Sequence, residues 1–126
     1  MMIEKIETSK APSAVGPYSQ GIKAHGLIFL SGQTPIDMAT GKLCTGTVGE
    51  QAHCSLMNLS AVAEAAGTSL DNVVKTTVFL TDMNDFAEFN AEYAKFFPNM
   101  KPARSCIAVK TLPLGARLEI EAICAE

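Results

Sequence analysis

In the run KPARSCIAVK, residues 101–110, one arginine stands at the mouth of an apolar strand, with Pro102 two positions before it and Cys106 two positions after. Position alone gives Arg104 two readings. Its head can snorkel to water from a strand end. Alternatively it waits for an anion, most simply the carboxylate of a small substrate, which a planar guanidinium grips through two parallel hydrogen bonds. Strand alternation sends Arg104, Cys106 and Ala108 one way and Ser105, Ile107 and Val109 the other. In the last strand Glu119, Glu121 and Ile123 share a face, opposite Leu118, Ile120 and Ala122. If the two strands pair about the TLPLGA turn with Cys106 opposite Glu121, then Arg104, Cys106 and Glu121 lie on one face, a register that a one-residue slip would undo. A guanidinium and a carboxylate there form either a structural ion pair or the charged half of a site.

Two further stretches favour a site. SGQTP places Ser31 and Gly32 at the end of an apolar strand, where a glycine lets a ligand approach backbone N–H groups. VGPYSQ holds Tyr18 in a Gly-Pro turn, an aromatic whose hydroxyl packing rarely needs. Packing alternatives exist for each: Gly32 can serve a bulge, Tyr18 can cap a loop, and Cys106 can be a small buried hydrophobe. No histidine is placed beside Ser31 or Cys106, which argues against covalent acyl transfer.

The elements that must carry these residues are readable. Two β-like runs, 19–24 and 27–33, flank AHG as a hairpin, and DMATGKL is a loop. Residues 50–67 bring Ala52, Leu56, Leu59, Ala63 and Ala66 to helical spacing, with Gly67 as the terminating glycine. NVVKTTVFLTDM is β-branched and central. In NDFAEFNAEYAKFFP, Phe86, Phe89, Tyr93 and Phe97 form a helical stripe that reads mostly as core, with Asn84 as N-cap and Pro98 as stop. RSCIAVK and RLEIEAICA close the chain as a strand pair. The whole is a single α+β domain over 1–126 in the order β-β-α-β-α-β-β. Two helices cover one face of a sheet of about six strands. Yet the strands are apolar on both faces, Leu27 and Phe29 alternating with Ile28 and Leu30, so the bare face must be covered by closure on itself or by other copies of the chain, and a homo-oligomer is expected.

Composition narrows the partners. The 126 residues are 48% apolar and 18% charged, with a net charge of −3 and no Lys/Arg cluster, so a nucleic-acid groove is not expected. Cys44, Cys54, Cys106 and Cys124 form no CxxC pair, and His25 and His53 lack metal-ligand spacing, so the thiols are expected to be free and no metal is expected. The N-terminal run lacks the apolar core of a signal peptide, and no segment approaches a membrane span; a cytoplasmic location is expected.

GPYSQGIK, LSGQTP, EAAG, VVKTTVFLTDMNDFAEFNAEYAKFF and KPARSCIAVKTLPLGARLEIEAI together resemble the Rid family, also called YjgF, of enamine/imine deaminases, from about Lys10 to Ile123. The resemblance implies a chorismate-mutase-like α+β subunit and a homotrimer with clefts between subunits. It further implies hydrolysis of 2-iminobutanoate and 2-iminopropanoate, products of PLP-dependent dehydratases, to 2-oxoacids and ammonia. By the same resemblance Arg104 grips the substrate carboxylate and Glu121 orients or activates water. Tyr18, Ser31, Gly32, Asn90 and Cys106 match pocket-lining positions. Thr34 stands where an aliphatic residue is common, which bears on substrate preference. An imine is already electrophilic, so neither a protein nucleophile nor a cofactor is required. The alternative from another class is a metabolite-binding or chaperone-like module that uses the same cleft without turnover. An RNA-cleaving role, attached to some relatives, is disfavoured by the charge and the absence of a paired histidine.

Overall fold

His25 and Gly26, both with positive φ (53° and 76°), make the two-residue turn that joins β2 (Gly21–Ala24) to β3 (Leu27–Gln33), so the hairpin predicted around AHG forms in the mirror-type geometry that suits strand twist. The computed structural model describes residues 2–126. β1 (Glu4–Ile6) is added to the edge of β2, and β4 (Ile36–Asp37) and β5 (Lys42–Leu43) form a separate small hairpin.

α1 (Val48–Ala65) starts in a capping box: Thr47 Oγ1 accepts from the Glu50 N–H and the Glu50 carboxylate accepts from the Thr47 N–H. It ends as predicted at Gly67, whose φ of 87° lets the Thr68 N–H reach back to the Ala63 carbonyl. The face carrying Ala52, Leu56, Leu59, Val62 and Ala63 is fully buried on the sheet. The central strand β6 (Val73–Leu80) leads into α2 (Phe86–Phe96), which buries Phe89, Tyr93 and Phe97 as the stripe predicts. Its start differs from expectation. Asn84 lies in a 3₁₀ turn, where its N–H donates to Asp82, and the helix N-cap is Asp85. The Asp85 carboxylate caps nothing because both its oxygens accept from Arg117, at 2.9 and 3.0 Å.

The expected pairing of the last two strands is corrected. β7 (Ala103–Ala108) and β8 (Leu118–Ala125) are not neighbours; the sheet runs β1-β2-β3-β8-β6-β7, with β6 between them, parallel to β7 and antiparallel to β8. Residues 109–117 are long enough to pass over the end of β6. The Val109 N–H donates to Leu80 and the Thr81 N–H to Arg117, and Leu114 and Gly115 at φ 63° and 73° turn the chain back. β6, with Val78 and Leu80 fully buried, gains a partner on each side, whereas the more exposed β7 takes the edge.

This order splits the expected face. Thr76 pairs with both Arg104 and Ala122, and Val78 with both Cys106 and Ile120, so Arg104 and Cys106 lie on the helix-covered face. Thr77 pairs with Ser105 and Glu121, and Phe79 with Ile107 and Glu119, so both glutamates lie on the open face. Arg104 and Glu121 therefore do not share a face. On the open side Leu27, Phe29 and Ile107 are 37%, 42% and 47% exposed within the single chain. No helix among the described residues is long and apolar enough to cross a membrane.

Candidate functional site

β7 and α2 position the guanidinium. Arg104 Nη1 donates to Asn90 Oδ1 at 2.7 Å, and its Cζ sits 4.9 Å from the Tyr93 ring centroid and 5.4 Å from that of Phe86. The aromatic stripe thus does more than fill the core: two of its rings seat a cation through their π faces. Tyr93 is itself fixed by a buried hydrogen bond of 2.8 Å between its hydroxyl and Thr76 Oγ1. Burial pushes the Tyr93 phenol up, with the Thr76 bond and the Arg104 charge opposing. Among the described residues no carboxylate lies within ion-pair distance of Arg104. One of its five N–H groups has a side-chain acceptor, and the rest of the fork borders a cavity of about 320 Å³ shared with Asn90, Tyr93, Lys101 and Pro102.

Cys106 follows on the same face. Burial raises its thiol above the ordinary cysteine value, against the pull of Arg104, which keeps the sulfur protonated and a poor nucleophile.

The remaining predicted residues gather elsewhere. The Ser31 hydroxyl donates to the Ser19 carbonyl at 2.6 Å and the Ser31 N–H to Gln20 at 3.0 Å, tying β3 to the loop that carries Tyr18. Gln20 anchors the other side of that loop: its amide bonds to Thr8 and to the Pro12 carbonyl, at 2.7–3.1 Å. Tyr18 is left 52% exposed. Gly32 lies in the bulge between Leu30 and Gln33, where a Cβ would stand 2.9 Å from the Glu119 carboxylate. Tyr18, Gly32, Thr34, Leu114 and Glu119 line a cavity of about 200 Å³.

Glu119, two residues before Glu121 in β8, places its carboxylate against Gly32. Burial, and secondarily the charge of Glu121, push its carboxyl above the usual carboxylate range. Glu121 borders a different cavity, of about 170 Å³, with Phe29, Lys75, Thr77 and Ile123. Alternation puts both glutamates on one face, and the spatial neighbourhood of Gly32 is what distinguishes them.

Two partial sites result. One, on the helix face at the β7 edge, holds Arg104, Asn90, Tyr93 and Cys106. The other, at β3 and the start of β8, holds Tyr18, Ser31, Gly32 and Glu119. β8 and β6 separate β3 from β7. Gly32 on β3 is three strand spacings from β7 and Glu119 on β8 is two, about 14 and 10 Å, with opposite facing added, so a three- or four-carbon acid does not bridge both within one chain.

The model of the family described as Endoribonuclease L-PSP matches residues 8–126. A RutC family protein, y4sK, of Sinorhizobium fredii is 57% identical over 122 residues, covering 97% of each chain. The 2-iminobutanoate/2-iminopropanoate deaminase of Mus musculus is 47% identical over 121 residues, covering 96% of this chain and 90% of that protein. Among solved structures, YyfA of Yersinia pestis, a protein of unknown function of the conserved Rid family, superimposes with a TM-score of 0.96 at 44% identity over 99% of this chain and 100% of that one.

Proposed function

This chain belongs to the Endoribonuclease L-PSP family, in which the Rid (YjgF) proteins fall, and from that premise we propose that it hydrolyses small 2-imino acids to 2-oxoacids and ammonia. The observation that carries the reading is Arg104: a fixed guanidinium, seated on two aromatic rings and aimed by Asn90, with no carboxylate of the described residues within ion-pair distance. A 2-imino acid offers the missing partner. Its carboxylate takes the free fork, which fixes the adjacent C=N carbon within the pocket. Water adds to that carbon, the C–N bond of the resulting carbinolamine breaks, and the nitrogen leaves as ammonia while the carbon becomes a carbonyl.

The proton traffic needs a carboxyl that can take up a proton and return it. We assign this to Glu119, with Glu121 raising its affinity for the proton through like charge. The Tyr18 hydroxyl and the Ser31–Gly32 backbone complete the water side of the pocket, Cys106 contributes its backbone, and Thr34 influences which side chain the imine carries. Because the two partial sites face opposite ways, the complete pocket requires two copies, with the open sheet face as the surface that joins them. A homotrimer with its pockets between subunits is the assembly this reading takes, and the family likeness is consistent with it. PLP-dependent dehydratases of the cytoplasm are the source of such imines. The net charge of −3 does not favour RNA as the substrate.

The test is a coupled assay in which a dehydratase generates the imine and 2-oxoacid release is followed with and without the protein. Acceleration proportional to added protein supports the reading; binding of a 2-oxoacid without acceleration contradicts it.

A further inference from the structure

Away from both partial sites, four sulfur-bearing side chains gather where the β4–β5 hairpin meets α1. Cys44 follows β5 and Cys54 lies on α1, and Cys44 is among the neighbours that act on the Cys54 thiol. Backbone ties hold them there from both sides. Asn58, one turn beyond Cys54, donates to the Ile36 carbonyl at 2.8 Å, and Ile36 pairs with Leu43. On the other side, Gln51 of α1 donates to the Gly46 carbonyl at 3.0 Å. The Cys44 N–H is fixed to Pro35 at 2.8 Å. Residues 43–46 are therefore clamped along the helix turn that carries Cys54. Beside the pair opens a cavity of about 410 Å³, lined by Cys54, Asp37, Met38 and Met57; the two methionines are 43% and 51% exposed, so the region is reachable from solvent.

We propose that Cys44 and Cys54 are a modification site at which a two-electron oxidant of the peroxide class closes a reversible intrachain disulfide, fastening the β4–β5 hairpin to α1. The Cys44 thiolate attacks the peroxide, the O–O bond breaks, and Cys44 becomes a sulfenic acid as hydroxide leaves. Cys54 sulfur then attacks the Cys44 sulfur; the S–O bond breaks, and the departing hydroxyl takes the Cys54 proton to leave as water. Two thiols and one hydrogen peroxide thus give one disulfide and two waters. Burial, then the Cys44 thiol, and then the Asp37 and Glu50 charges push the Cys54 thiol up to about 11, which suits it to the second step rather than the first. A thiol that high is also a poor leaving group, so the bond persists until a reductant is supplied in excess. Cys106 and Cys124 have no such neighbour and stay outside the reaction.

The full chain is treated with hydrogen peroxide near one equivalent, unfolded in denaturant so that every remaining thiol is accessible, alkylated and digested with trypsin. Both residues fall in one peptide, 43–75, because Lys42 and Lys75 bound it. The expected result is loss of two hydrogens from that peptide, resistance of Cys44 and Cys54 to alkylation, full reversal by dithiothreitol, and continued alkylation of Cys106 and Cys124. The melting temperature rises by roughly 5–10 °C, because a short loop is closed in the unfolded chain. Cys44→Ser and Cys54→Ala each abolish the mass change and the rise. Thiols that remain alkylatable, oxidation that halts at sulfinic acid, a link between chains, or a Cys44→Ser protein that still loses two hydrogens would each overturn the proposal. None of these outcomes depends on imine hydrolysis.

Discussion

The carboxylate of Glu119 occupies the space that a side chain at position 32 would fill: a Cβ on Gly32 would stand 2.9 Å from Glu119 Cδ and Oε2. The obstacle is the movable end of a glutamate, not backbone, so Gly32→Ala is expected to displace the carboxylate at little cost to the fold. Steady-state kinetics and melting should separate the two effects. We expect kcat to fall roughly 10–100-fold, the range of a mis-set general acid–base group, with stability changed by less than about 1 kcal/mol.

Glu119 and Glu121 make distinct pH predictions. Burial first, and the Glu121 charge second, raise the Glu119 carboxyl. Glu121→Gln removes the like charge, so the acidic limb of the pH–kcat/KM profile moves to lower pH while activity persists. Glu119→Gln removes the limb together with most of kcat. Stability carries its own sign. A carboxyl raised in the folded state binds its proton more tightly there than in the unfolded chain, so its contribution is complete below the ordinary carboxylate range and is lost as pH rises through the elevated value. Glu119→Gln is therefore expected to melt higher than the parent at neutral pH and to converge with it in acid. A thermal scan across pH that shows no convergence would remove the burial account.

Asn90 aims Arg104 without touching the reacting carbon, so it is a positioning residue. Asn90→Ala should raise KM about tenfold while kcat changes little, as the guanidinium loses its one side-chain acceptor at 2.7 Å. Asn90→Asp should be worse than Asn90→Ala, because it supplies the fork with an internal carboxylate that competes with the substrate. The reverse ranking would mean that the arginine does not receive an anion.

The buried Thr76–Tyr93 bond fixes the ring beneath the guanidinium. Thr76→Val strands a buried phenol and should cost about 1–3 kcal/mol in denaturant unfolding. Adding Tyr93→Phe removes the stranded group and should restore part of that loss, a coupling readable in a double-mutant cycle.

The open sheet face is the surface that must meet another copy if the pocket is composite. Phe29→Glu, at a side chain 42% exposed in the single chain, should dissociate the assembly in sedimentation and abolish turnover together. Dissociation with full activity would show that one chain suffices.

Local signals made most elements legible. The turn at His25–Gly26, the capping residues Thr47 and Glu50, and the glycine at 67 each act within a few residues of the feature they specify. Burial followed the alternation in β3, β6 and β8. The sheet order was not legible, because TLPLGA is compatible both with a hairpin and with passage over a third strand. The choice is made by β6, whose buried backbone needs a hydrogen-bonding partner on each of its two edges. That misordering carried into the site: it put Glu121 beside Arg104, whereas the register puts Arg104 opposite Thr76 and Glu121 opposite Thr77. Glu119 could not be separated from Glu121 by pattern, since its distinguishing neighbour, Gly32, is remote in sequence. The seating of Arg104 on Phe86 and Tyr93 was hidden for a related reason, that a stripe at helical spacing looks the same whether it fills a core or carries a cation at its end.

The most direct measurement is the rate of 2-iminobutanoate hydrolysis by Arg104→Ala against the parent chain, in the dehydratase-coupled assay, with assembly checked in parallel. Loss of a paired, charge-assisted contact of about 3 kcal/mol predicts a fall in kcat/KM of roughly 100-fold or more, with the assembly intact. Undiminished turnover by an intact Arg104→Ala assembly would contradict the account.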